Sequence, residues 1–268
     1  MQRLDGVLVW ITGAGSGIGR ACALAFASAG AGVALTGRTR SALEETAALV
    51  QAAGGAATLA AADVSIPAQV ARAHREIVAA SGDVHILINS AGGNVGPRHW
   101  GHLDPADMSH VIDVDLKAMF LCTLAVLPAM RSRRDGRIVH IASQAGATRQ
   151  TVSGPSYSAA KTGVLAMSAS LNAEEGIHGI RSICISPGEV ETPILDTRPS
   201  PPSAAERTLM LQPEDVASTA LFCVGLPARA CVAEVLLLPT DDRHVRTQAR
   251  AIESIVGSAS TRSGKRPL

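Results

Sequence analysis

No excess of charge of either sign marks this chain of 268 residues: 24 lysines and arginines against 23 acids leave a formal net charge of +1. Outside the last few residues there is no basic block, so nothing forms an electrostatic footprint for nucleic acid or an anionic membrane. Long apolar runs are also missing. The most apolar helical stretch, 118–130, is too short to span a bilayer and carries Pro128, which predicts a buried core helix. The chain starts with no charged n-region, apolar h-region and cleavage site, and this points to the cytoplasm. Paired cysteines are absent as well. Cys22, Cys122, Cys184, Cys223 and Cys231 are scattered without CxxC spacing, and the eight histidines follow no ligand motif, which argues for reduced thiols and no metal. His99 and His102 read as surface or substrate-loop residues. Lysine and tyrosine are nearly missing: Lys117, Lys161 and Lys265 are the only lysines, and Tyr157 is the only tyrosine.

What the sequence has is alternation. Apolar, β-branched runs at 7–12, 33–36, 58–61, 84–89, 137–142, 180–186 and 235–238 read as buried parallel strands. Helical patterns lie between them at 17–29, 40–53, 67–80, 104–131, 157–178 and 213–224. Strict β-α alternation predicts an α/β fold: a single-domain Rossmann architecture with a doubly wound, mostly parallel, seven-stranded sheet flanked by helices. The domain is expected over 1–240, with a polar, mobile tail over 241–268.

After the first strand comes Thr12-Gly13-Ala14-Gly15-Ser16-Gly17-Ile18-Gly19, which opens a helix at once. Glycines there let the backbone approach a pyrophosphate, while the free N–H groups and the dipole of the helix N-terminus favour its charge. The end of the second strand, Leu35-Thr36-Gly37-Arg38-Thr39-Arg40, has no acid to bond a ribose 2′-hydroxyl. Arg38 instead offers a planar fork suited to a 2′-phosphate, which favours NADP(H) over NAD(H); its other reading is a solvated residue at a helix start. Tyr157 and Lys161 stand four apart on one helix, sharing a face, so the ammonium favours the ionised phenol. An unperturbed phenol, titrating at about 10, is a poor proton donor and acceptor near neutrality.

These motifs, together with Asp63-Val64, Asn89-Ser90-Ala91-Gly92 and Tyr157-x-x-x-Lys161 in the same order, resemble the short-chain dehydrogenase/reductase family, NADP type, over about 7–240. The resemblance implies that Asp63 and Val64 hold an adenine, although Asp63 also reads as an ordinary strand-end cap. It implies that Asn89, Ala91 and Gly92 support the sheet beside the cofactor and that Lys161 bonds the nicotinamide ribose. Ser143, at the end of the fifth strand, matches the serine that orients the substrate oxygen; as a bare residue it is also a possible turn serine. The run Ser186-Pro187-Gly188-Glu189-Val190-Glu191-Thr192 resembles the loop lining a nicotinamide, with Val190 and Thr192 near the carboxamide, and the Pro-rich stretch to about 211 resembles a substrate lid.

One position departs from the pattern. Asp115 aligns with the family's asparagine that holds a relay water beside the lysine, and the resemblance implies a carboxylate within several ångströms of Lys161 and one water further from Tyr157. The strand near 234–240 also lacks the family's Asp-Gly-Gly ending. The resemblance implies hydride transfer between NADP(H) and a carbonyl or secondary alcohol, with Tyr157 as general acid and base, 3-oxoacyl thioester reductases being the nearest analogy. The alternative is an NADP(H)-binding sensor whose turnover Asp115 has impaired. A homodimer or homotetramer, paired through the helices at 104–131 and 157–178, is the implied assembly.

Overall fold

The computed structural model describes residues 3–148, 152–198 and 200–242. Apart from Asp241 and Asp242, the tail expected over 241–268 lies outside them. Seven strands form one sheet: β1 (Leu8–Thr12), β2 (Gly32–Thr36), β3 (Ala57–Leu59), β4 (Ile86–Asn89), β5 (Gly136–Ile141), β6 (Ile180–Pro187) and β7 (Glu234–Leu237). Their spatial order is β3-β2-β1-β4-β5-β6-β7, and every pairing is parallel. Sequence order therefore reverses between β1 and β4, and a crevice opens there at the carboxyl ends of the strands, where open α/β sheets take their ligands.

The longer helices are α1 (Gly17–Ser28), α2 (Arg40–Ala52), α3 (Pro67–Ser81), α4 (Pro105–Ile112) and α5 (Ala118–Arg133). They are followed by the one-turn α6 (Gln144–Ala147), α7 (Pro155–Glu175), the one-turn α8 (Ala204–Arg207) and α9 (Pro213–Val224). Strand alternation divides the core into two layers. On β1, Val9 and Ile11 face α1, α2 and α9 through Phe26, Leu43 and Val216, while Leu8 and Trp10 face α3 and α5 through Ile77 and Met130. Trp10 is fully buried and donates its indole N–H to Thr36 Oγ1 at 2.8 Å, so its one polar atom is satisfied inside the core.

Three expectations change. The helix expected over 104–131 is two helices, α4 and α5, joined by a π-helical turn at Asp113–Lys117. One extra residue in the turn changes the facing of α5 relative to α4, and an apolar count does not register it. The stretch 118–130 is not buried all round, because α5 packs one side only and leaves Leu124 61% and Phe120 44% exposed. Strand β7 is half exposed rather than buried, being the sheet edge. The tail of β1 and the ends of β4, β5 and β6, by contrast, all point into the crevice that holds the site.

Candidate active site

The glycine turn between β1 and α1 is shaped from below. Thr12, buried at the end of β1, accepts from the backbone N–H groups of Ser90 and Ala91 at 3.1 Å each, which draws the loop after β4 onto the turn. Gly13 has φ +67, and a Cβ there would stand 2.9 Å from the Ala91 backbone, so only glycine permits this approach. Arg20 donates to the Gly15 carbonyl at 2.5 Å and Thr46 Oγ1 to the Ala14 carbonyl at 2.9 Å. With the turn fixed from outside, Gly13, Ser16, Gly17, Ile18 and Gly19 line one cavity. Ser16 makes no side-chain cap, which leaves the N–H groups of the first turn of α1 for an anion. A pyrophosphate fits this cradle: a Cβ on Gly17 would already meet Thr192 at 3.0 Å.

Gly15 faces the other way, toward Ala42, and does not line the cavity. Asn89 lies beneath it, buried, with its amide donating toward Thr123 Oγ1 at 3.4 Å and standing 3.2 Å from His140 Nδ1. Ala91 and Gly92 line the cavity directly. At the adenosine end, Arg38 is exposed and Val64 is buried in the core layer that includes Trp10. Asp63 is half-buried; burial alone would raise its carboxyl, but two bonds from Ser65 and the field of Arg38 hold it below the usual range.

The candidate catalytic residues converge from three elements. Ser143 ends β5 as N-cap of α6, its Oγ accepting from Ala145 N at 3.1 Å, and its hydroxyl beside Tyr157 favours the phenolate. Tyr157 stands in the first turn of α7, and Lys161 one turn on puts its Nζ 5.5 Å from the centre of the phenol ring. Lys161 is 3% exposed and donates to the Ile141 carbonyl at 3.0 Å. The π turn rotates Asp115 inward, fully buried, to pair with Lys161 Nζ at 3.1 Å and accept from Gly93 N at 3.3 Å. The carboxylate thus holds the lysine directly.

Burial adds a larger effect to the electrostatics of the pair. Lys161 does favour the phenolate, but Tyr157 as a whole is raised above its ordinary value, because withdrawal from water and the Asp115 carboxylate together outweigh the lysine. Burial also raises Asp115, against the pull of Lys161. The lysine itself is raised, since Asp115 and Tyr157 overcome a burial that would lower it. His140, buried next to Asn89 with its Nε2 unpartnered, is pushed down to about 3 by burial and by the Lys161 charge.

The far wall comes from the segment after β6, where Pro187, Gly188, Val190 and Thr192 line the cavity. The stretch beyond forms a 3-10 turn (Pro193–Thr197) and α8, and returns to pair Leu211 with Val190. The sequence motif includes Thr12 without indicating its part in drawing in the loop after β4, and it gives no role to Asn94, Arg98, Gln144, Ser153 or Arg198. Arg98 and Asn94 sit in a Gly-rich loop, and only the fold shows that Asn94 Nδ2 donates to the Ser153 carbonyl at 2.9 Å and closes that loop over the site. No group of His, Cys, Asp and Glu able to hold a metal occurs among the described residues, and among them no helix is long and apolar enough to cross a membrane.

Known proteins resemble this chain in sequence and in fold. Residues 7–202 match the family model described as short chain dehydrogenase. A (2S)-[(R)-hydroxy(phenyl)methyl]succinyl-CoA dehydrogenase subunit of Thauera aromatica is 37% identical over 169 residues, 60% of this chain and 66%, just under two thirds, of its own length. Among solved structures, a metagenomic short-chain oxidoreductase in complex with NADP is 30% identical with a TM-score of 0.77, covering 89% of this chain and 99% of the other. The 3-ketoacyl-(acyl-carrier-protein) reductase of Brucella melitensis, complexed with NADH, is 28% identical with a TM-score of 0.79 over 88% and 97% of the two chains.

Proposed function

The chain belongs to the short-chain dehydrogenase family, and on that premise we propose that it transfers hydride between NADP(H) and a carbonyl or secondary alcohol. The observation that carries the reading is the convergence of Ser143, Tyr157 and Lys161 on one cavity floored by the glycine turn. The bound nicotinamide supplies or accepts the hydride. Gly13, Ser16, Gly17, Ile18 and Gly19 hold the pyrophosphate, Asp63 and Val64 the adenine end, and Asn89, Ala91 and Gly92 back the cofactor from β4. Arg38 favours the 2′-phosphate, since Gly37 beside it offers no carboxylate. Pro187, Gly188, Val190 and Thr192 flank the nicotinamide.

Ser143 donates its hydroxyl to the substrate oxygen, a role open to it because its lone pair already accepts from Ala145 N. Tyr157 gives a proton to that oxygen in reduction and takes it back in oxidation. Lys161 stabilises the phenolate, and Asp115 fixes the lysine and opposes that stabilisation. By analogy with a similar structure that is a 3-ketoacyl-(acyl-carrier-protein) reductase, 3-oxoacyl thioester reduction is the starting comparison for the substrate, and a homodimer or homotetramer is the proposed assembly.

The test is cofactor titration followed by a ketone and alcohol panel. NADPH is expected to bind at least tenfold more tightly than NADH, as a charge-assisted contact of about 1.5–3 kcal/mol requires. Tyr157→Phe should keep cofactor affinity and lose roughly 10²–10⁴-fold of turnover. Equal affinities would reject the NADP(H) preference. Tight NADPH binding with no turnover of any substrate would favour the sensor.

A further inference from the structure

Arg98 lines the same cavity as Tyr157 and Ser143, yet its guanidinium has no use in hydride transfer. The residue is 7% exposed, its Nη2 is buried without a hydrogen-bond partner, and its Nε reaches only the Gly96 carbonyl at 3.5 Å. Among the described residues no carboxylate lies within ion-pair distance of it. The other cation on this wall, Arg198, is already paired with Glu189. Burying an unpaired guanidinium is costly, and arginines so placed in a cavity are normally matched by an anion.

The arginine is also held in place. Gly154 precedes α7 with φ +76, and a Cβ there would stand 2.3 Å from the Arg98 carbonyl, so the backbones of the two loops touch. The Asn94 bond to the Ser153 carbonyl closes the same contact four residues earlier. A backbone fixed at these two points, carrying a buried guanidinium whose Nη2 has no partner, presents a cation to the cavity ready for a ligand.

We propose that Arg98 is the substrate's carboxylate anchor, and that the substrate class is an oxo acid or its hydroxy acid. The inference rests on the oxidoreductase reading and narrows it. In the reductive direction, hydride goes to the carbonyl carbon and the Tyr157 proton to its oxygen. The carbonyl π bond is lost, the cofactor is oxidised, and the carboxylate stays intact on Arg98. Beside the cation already paired with Glu189, the free one selects against neutral ketones and thioesters by leaving itself buried and unmatched.

The experiment compares 2-oxopentanoate and 4-oxopentanoate with their methyl esters, and 3-hydroxybutyrate with its ester, adding the N-acetylcysteamine thioester of 3-oxobutyrate as a neutral thioester. The acid should exceed its ester at least tenfold in kcat/KM in one pair or more. Arg98→Gln should reduce that acid-to-ester ratio at least tenfold, mainly through KM, and Arg98→Lys should give an intermediate ratio. Calorimetry of the NADP-loaded protein with the same acids and esters reads binding apart from turnover and should show the same order. Esters or the thioester preferred over every acid, or a ratio unmoved by Arg98→Gln, overturns the proposal while leaving the oxidoreductase reading intact. If no compound turns over, the oxidoreductase reading fails instead, and calorimetry alone decides Arg98: acid-selective, Arg98-dependent heats support the anchor, and equal heats reject it.

Discussion

In the proposed mechanism Asp115 tunes the proton chemistry of Tyr157. Alcohol oxidation by that mechanism needs the phenolate, so turnover is expected to rise with pH through the tyrosine's pKa, which Asp115 raises. Asp115→Asn removes that anion, and the rise should move to lower pH by about one unit, the scale of a carboxylate several ångströms away at an effective dielectric near 20. A pH–rate profile of the two proteins checks it; an upward move contradicts the sign. The same change deprives Lys161 of its ion-pair partner, so stability should fall by about 1–3 kcal/mol. His140 gives a second pH test. Its folded pKa of about 3 lies below the ordinary 6.5, so the unfolded chain binds a proton that the folded one refuses. Its contribution is complete above pH 6.5 and is lost as pH falls toward 3, at about 1.4 kcal/mol per pH unit. Denaturant melts from pH 7 to 4 should show a shallower slope for His140→Asn by up to that amount, and equal slopes refute the buried neutral ring. At this scale the meeting of Tyr157, Lys161 and Ser143 on one cavity was legible from helical spacing and from a strand end. Arg98 was not, since its meaning comes from a partner it lacks in three dimensions.

Among the elements, the contact of α6 with α7 fixes the relation of Ser143 to Lys161. A Cβ on Gly146 would stand 2.6 Å from the Lys161 carbonyl carbon and 2.9 Å from Thr162 N, both backbone atoms that cannot rotate away. Gly146→Ala should therefore push the two helices apart, costing about 1–3 kcal/mol of stability and a larger share of kcat than of cofactor affinity. Thermal unfolding and steady-state rates would show it, and wild-type values on both counts would mean the helices separate freely. Strand and helix positions were readable from period and punctuation, and the parallel, seven-stranded character of the sheet from β-α alternation. The π turn was not readable. Val111 and Ala118 are both buried on either side of it, so the apolar pattern runs on unbroken while the turn redirects Asp115.

For the whole molecule, exposed apolar side chains accord with the proposed assembly: Phe120 and Leu124, one turn apart on α5, with Phe222 on α9 and Leu236 on β7 also exposed. Exposed apolar surface, where it is contiguous, marks contact with another chain. Sedimentation should find a dimer or tetramer, and Leu124→Asp should shift it toward smaller species; monomer alone in the unaltered protein would reject the assembly. The strand order has a different consequence, for synthesis. Strand β1 sits mid-sheet, and the bond from Leu8 N to His85 Nδ1 spans 77 positions. As the chain leaves the ribosome at ~5–20 residues per second, β1, β2 and β3 are available to pair while the inner edge of β1 waits a few seconds for β4. During that interval the future centre of the sheet is an open edge, and the nascent chain is most in need of a chaperone before its first hundred residues are out.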